Sequence, residues 1–131
     1  MTSIKYILFP LLAVFIAQFI KFIYNYIKTK KLDIMIFING MGGMPSSHSA
    51  LVSSLTTLIY LNYGLSIYFS ISFIFSLIVI YDARGIRYES GKQAKILNSI
   101  ANTNLRESLG HNSLEVLVGI ILGSLLVIIL N

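Results

Sequence analysis

A chain of 131 residues that is 56% hydrophobic and only 11% charged, with a mean hydropathy of +0.80, is not a soluble globular domain. Such domains carry about 25% charged residues. The absence of cysteine excludes disulfides and thiolate metal sites. The net charge of +5 does not point to nucleic acid, because no aromatic-rich basic face exists outside the apolar blocks.

Four apolar blocks follow in order: Tyr6 to Ile27, Ala50 to Tyr63, Leu65 to Tyr81 and Leu114 to Leu130. A membrane-spanning helix needs about 20 residues, with roughly 17 as a lower limit. The second block reaches that limit if Ser47 to Ser49 continue its helix. The expectation is an all-α integral membrane protein. It has four transmembrane helices, a short cytoplasmic amphipathic helix, and a single domain over residues 1–131. The first block reads as a retained helix rather than a signal peptide, because Gln18 and Lys21 interrupt it and no small-residue cleavage pattern follows. Along it Gln18, Lys21, Asn25 and Lys28 fall on one helical stripe, expected to face the bundle interior. Snorkelling to the interface is the competing role for Lys21.

After a connection holding Lys30, Lys31 and Asp33 comes an apolar patch at 34–38 that can dip into the interface. The stretch Gly42-Gly43-Met44-Pro45-Ser46-Ser47-His48-Ser49-Ala50 then has the order of a helix start. Proline suits a first helical turn and serines cap it. Such an N-terminus favours anions through its unpaired amides and its dipole. The hydroxyls of Ser49, Ser53, Ser54, Thr56 and Thr57 suit close helix packing. A tight turn at Asn62-Tyr63-Gly64 leads to the third block. Tyr81 to Gln93 reads as a folded, charge-paired loop, and Ser90 to Asn102 as the amphipathic surface helix.

The last segment carries His111 and Glu115, four apart, so that within a helix they share a face. A carboxylate accepting from an imidazole N–H fixes the tautomer and makes the other ring nitrogen more basic. Gly119 and Gly123 form a GxxxG, which packs the helix within the bundle or, alternatively, forms a homodimer. Placed on four spans, the 28–47 and 82–113 connections share one side. That side holds Lys28, Lys30, Lys31, Arg84, Arg87, Lys92, Lys95 and Arg106, whereas the other has only Lys5. The positive-inside rule predicts a plasma-membrane protein with both loops cytoplasmic and both termini outside.

Both histidines thus sit at the same ends of spans, with arginines and a helix N-terminus nearby. That set suits phosphoryl transfer, in which one histidine attacks phosphorus, another protonates the leaving oxygen and arginines hold the remaining oxygens. Zinc is the competing use of two histidines and a glutamate, but no close His-x-x-x-His pair is present.

Pro45-Ser46-Ser47-His48 resembles the PSGH motif of the type 2 phosphatidic acid phosphatase (PAP2) superfamily, which includes the vanadium haloperoxidases. Arg106 through Glu115 resembles its final arginine–histidine–aspartate motif. The strings Gly-Gly-Met-Pro-Ser-Ser-His-Ser-Ala, Tyr-Asp-Ala-x-Gly-Ile-Arg and Leu-Gly-His-x-x-x-Glu-Val resemble more closely the divergent PAP2 branch, small bacterial membrane proteins with plant relatives. The likeness runs from about Gln18 to Gly123. It implies His111 as the nucleophile that becomes phosphorylated, Glu115 as its orienting acid and His48 as the general acid. Ser46, Ser47 and Arg106 are implied as phosphate contacts.

The chain departs from the superfamily pattern at several points. Ser47 replaces a glycine, Glu115 an aspartate, and Arg106 stands five rather than six before His111. The upstream lysine–arginine–proline motif is missing, and Lys21, Arg87 and Arg84 are the available substitutes. The expected function is a membrane phosphatase acting on a lipid phosphate or diphosphate at the cytoplasmic leaflet through a phosphohistidine, with no cofactor or metal. Its expected partners are the lipid phosphate and the surrounding membrane lipids. The alternatives are a non-catalytic lipid-phosphate binder or transporter that keeps the anion site, and a small structural membrane protein.

Overall fold

The computed structural model describes residues 3–31, 34, 43–105, 107 and 110–131. The chain is all-helical there, with α1 at Lys5–Thr29, α2 at Ser47–Tyr63, α3 at Ile67–Arg84, α4 at Ile86–Ala101 and α5 at Ser113–Leu130. Among the described residues three helical runs are long and apolar enough to cross a membrane. They are α1, the 35-residue Ile67–Ala101 run of α3 and α4, and α5. The 17 residues of α2 sit at the lower spanning limit.

Helix α2 is the centre of the bundle, and α1, α3 and α5 pack around it. Its apolar content is modest, but its side chains are small. Ser49, Ala50, Ser53 and Ser54 are buried, and opposite them lie Ala13 and Ala17 of α1. On α5, a Cβ at Gly119 would fall on the Ser46 carbonyl oxygen, and one at Gly123 on that of Ala50. The GxxxG face is therefore filled by α2 of the same chain, at a separation only glycine permits. Hydroxyls close the remaining seams. Thr56 Oγ1 lies 2.8 Å from Ser72 Oγ and 2.7 Å from Ser76 Oγ, and the Thr57 hydroxyl donates to Ser124 Oγ at 3.1 Å. Large side chains such as Ile7, Phe15, Ile71, Ile78 and Ile128 point outward. That inversion suits a lipid surround, where burial against lipid tails costs nothing and close packing drives association.

Two ends of the bundle are distinct. At one, Lys5 Nζ donates to Asn62 Oδ1 at 2.8 Å and to Asn131 Oδ1 at 2.9 Å, tying together the start of α1 and the ends of α2 and α5. At the other, the Ser46 N–H donates to the Glu115 carbonyl at 2.9 Å and the His111 N–H to that of Ala83 at 3.1 Å. Since α2 and α5 meet at both ends, α2 runs the height of α5. Both long connections meet at the second end, as expected.

Three local expectations are corrected. Pro45 does not open α2. The helix begins after it, with Ser46 as N-cap in extended conformation, its Oγ accepting from the Ser49 N–H at 3.3 Å and the Ser49 hydroxyl at 2.9 Å. The Met44–Pro45 bond is cis. Tyr81 to Gln93 is not a loop, because only Gly85 separates α3 from α4, and the amphipathic helix starts at Ile86. The charge pairing foreseen there does occur, with Arg87 Nε 3.0 Å from Asp82 Oδ2 and Lys92 Nζ 3.2 Å from Glu89 Oε1. On α1 the buried line is Pro10, Ala13, Ala17 and Lys21, and Lys28 is exposed. Small alanines let α2 approach on that line, which leaves Gln18 and Asn25 half-buried at its edge. Of the 34–38 patch, only Ile34 is among the described residues, and it is exposed.

Candidate active site

His111 is fixed at both its backbone and its ring, and it lies outside the helix. The N-cap of α5 is Asn112, so His111 precedes the helical residues and does not share a helix face with Glu115. The two meet through an N-terminal capping box. The Glu115 N–H donates to Asn112 Oδ1 at 2.8 Å, and the Asn112 N–H donates back to Glu115 Oε2 at 3.1 Å. The same Oε2 lies 3.0 Å from His111 Nδ1. The box thus presents a carboxylate to the imidazole, which is 6% exposed overall. A carboxylate at Nδ1 keeps the proton there and leaves Nε2 as the nucleophilic nitrogen. Asn112 and its box spacing, Asn-x-x-Glu, were open to reading in the sequence but do not figure in the expected site.

The backbone of His111 is held from the other side by Ala83 at the end of α3. Gly110 makes this docking possible. A Cβ there would lie 2.6 Å from the Tyr88 nitrogen and 2.8 Å from the Ala83 oxygen. The Tyr-Asp-Ala-x-Gly-Ile-Arg string therefore has a local meaning, since it builds the ledge on which the histidine loop rests. Asp82, on the same ledge, holds the half-exposed Arg87.

Lys21 enters from α1. It is 5% exposed, and its Nζ has no hydrogen-bond partner among the described residues. A snorkelling lysine carries its ammonium to water or headgroups, so burial of Nζ speaks against that role. The ammonium acts electrostatically on Glu115, His111 and His48. His48, in the first turn of α2, also feels Arg87, His111 and Asp82, and its Nδ1 is buried without a partner among the described residues. With the Ser46 N–H given to Glu115 and the Ser49 N–H to the cap, the amides of Ser47 and His48 have no intrahelical acceptor.

Burial pushes His111 below the ordinary histidine value of 6.5. The hydrogen bond and the charge of Glu115 oppose that fall, and the charges of Lys21 and Arg87 reinforce it. The ring is thereby kept neutral near pH 7.

The expected residues gather unevenly. His48, His111, Glu115, Lys21 and Arg87 interact with one another. Ser46 is fully buried and engaged in the cap, so its side chain serves the helix, and Ser47 is buried beside it. Arg84 is exposed and lines a surface groove with Leu77, Ile78, Ile80, Tyr81, Asp82 and Ile86. Arg106 lies outside the described residues.

A buried imidazole held by a carboxylate, a second histidine and a buried lysine whose Nζ has no partner among the described residues thus lie at the end of the bundle where α2 begins. The sequence profile of the divergent PAP2 family matches residues 2–126. The chain belongs to the divergent PAP2 family. It is 36% identical, over an alignment of 148 positions covering 93% of each chain, to the uncharacterized membrane protein YuiD of Bacillus subtilis (strain 168). No solved structure matches it. With its membrane-length helices and this relative, it is an integral membrane protein of that family.

Proposed function

We propose that this divergent PAP2 protein hydrolyses a lipid phosphate or diphosphate through a phosphohistidine at His111. One observation supports this above all. His111 is held at Nδ1 by Glu115 and at its backbone by Ala83, and the charge of buried Lys21, whose Nζ has no partner among the described residues, acts on it. A structural histidine has no need of a buried cation next to it, whereas a nucleophile for a phosphate ester does. Nε2 attacks phosphorus, the P–O bond to the lipid breaks, and His48 gives its proton to the leaving oxygen. Water then attacks the phosphohistidine, surrendering a proton to His48, and the N–P bond breaks to release phosphate. Lys21, Arg87 and the α2 N-terminus hold the non-bridging oxygens throughout.

The test is phosphate release by the purified protein from a panel of lipid phosphates and diphosphates, with and without orthovanadate. Release from one of them, blocked by orthovanadate and accompanied by acid-labile phosphate on the protein, is expected. Orthovanadate binding without release from any lipid overturns hydrolysis and leaves a lipid-phosphate binder or transporter.

The same reading places the site at the cytoplasmic leaflet, supported by the basic residues at its end of the bundle and the single Lys5 at the other. The chain has no cysteine. A cysteine introduced at Lys31 should therefore resist a membrane-impermeant maleimide in intact cells, while one at Asn131 should react. The reverse pattern refutes the placement.

A further inference from the structure

Beside this site the bundle is open. Helices α1 and α5 both pack on α2 and touch one another little, and between them runs a groove of about 450 Å³. Its walls are Ile20 and Tyr24 of α1 and Leu114, Val118 and Leu122 of α5, with the Met44–Pro45 turn and Glu115 at one end. From Leu114 to Leu122 the α5 wall is roughly 12 Å long at 1.5 Å per residue. The lining is apolar except at that end. There Glu115 carries the hydrogen bond to His111, and Pro45 leads into the α2 N-terminus. The neighbour of Ile20 in sequence is Lys21, so consecutive residues of α1 face the groove and the buried anion site.

We infer that this groove seats one hydrocarbon chain of the phosphate-bearing lipid, so that the lipid enters sideways between α1 and α5 with its phosphate at His111. The inference rests on the phosphatase reading for the identity of the headgroup. Continuity decides the occupant. An apolar trough that ends at the carboxylate of the reacting histidine, in a helix pair surrounded by lipid, matches a molecule with an anionic head and an apolar tail. A helix from a partner protein would need a longer face than the roughly 12 Å from Leu114 to Leu122 provides.

The experiment compares kcat/KM for phosphatidic acid in vesicles with kcat/KM for p-nitrophenyl phosphate, which has no chain to seat. Val118→Trp and Ile20→Trp fill the groove from opposite walls, and Ile71→Trp, on the exposed outside of α3, is the control. Both groove variants should lower the ratio of the two values about tenfold, as overfilling a packed slot does, and the control should leave it unchanged. A ratio unchanged in both groove variants overturns the seat. Independently of turnover, phosphatidic acid bearing a diazirine in one acyl chain should cross-link at Ile20, Val118 or Leu122 in the wild-type protein. Labelling spread evenly around the bundle, or absent from the groove, overturns the seat. If wild-type protein hydrolyses neither substrate yet cross-links in the groove, the phosphatase reading falls and the seat stands.

Discussion

Replacing Lys21 with Met is expected to raise the melting temperature of the purified protein while weakening orthovanadate binding about tenfold to a hundredfold. The two effects have one cause. The Lys21 amine is buried and has no partner among the described residues, and an unsatisfied buried donor costs about 1–3 kcal/mol, more if charged. Methionine keeps the length and flexibility of the side chain and removes the polar atom, so the bundle recovers that cost. An anion in the site would supply the missing partner, and a hydrogen bond to a charged group contributes about 1.5–3 kcal/mol, which is tenfold to a hundredfold in affinity. Circular dichroism melting in detergent and equilibrium binding of orthovanadate measure the two sides. A lower melting temperature with unchanged orthovanadate binding would show Lys21 to be a structural residue and remove the cation from the site.

The gain in stability on losing function follows from where the sequence breaks its own local rules. A lysine amid the first apolar block, Gln18 three residues before it, and Glu115 at the mouth of the last block are each at odds with a membrane span, and they were legible for that reason. Gln18 Oε1, Lys21 Nζ and His48 Nδ1 are the buried side-chain atoms left without partners among the described residues. The helical bundle, the shared end of both long connections and the pairing of His111 with Glu115 could likewise be read from pattern and spacing.

What could not be read depends on approach between distant segments. Gly110 looks like any loop glycine until Ala83 and Tyr88 are found against it. Gly119 and Gly123 announce close packing but not the partner, which proves to be the Ser46 and Ala50 backbone. Arg84 and Arg87 are three apart in sequence, yet Gly85 breaks the helix between them. One then faces outward and the other is held by Asp82. The four-residue spacing of His111 and Glu115 predicts a shared helical face, whereas His111 lies ahead of the helix. A capping box delivers the same contact one residue before the helix begins, and Asn112 in place of the more familiar serine or threonine concealed it.

That capping origin sets the last expectation. His111→Ala should reduce kcat about a thousandfold or more on whichever lipid phosphate is hydrolysed, because the covalent step has no substitute nucleophile. Glu115→Gln should cost about a hundredfold. It keeps an oxygen for the Asn112 N–H or for the imidazole but loses the charge that holds the Nδ1 proton in place, and a wrong tautomer points a protonated nitrogen at phosphorus. The pH profile separates this from simple damage to the helix start. His111 must be neutral to attack, so kcat/KM falls as the pH drops through its titration, which lies below 6.5. The hydrogen bond and charge of Glu115 both raise that titration point, while burial, Lys21 and Arg87 lower it. Removing the carboxylate charge therefore moves the acid limb to still lower pH, even as the plateau falls. An acid limb that stayed in place or moved upward in Glu115→Gln would mean that the group being titrated is not His111, and the nucleophile would have to be assigned elsewhere.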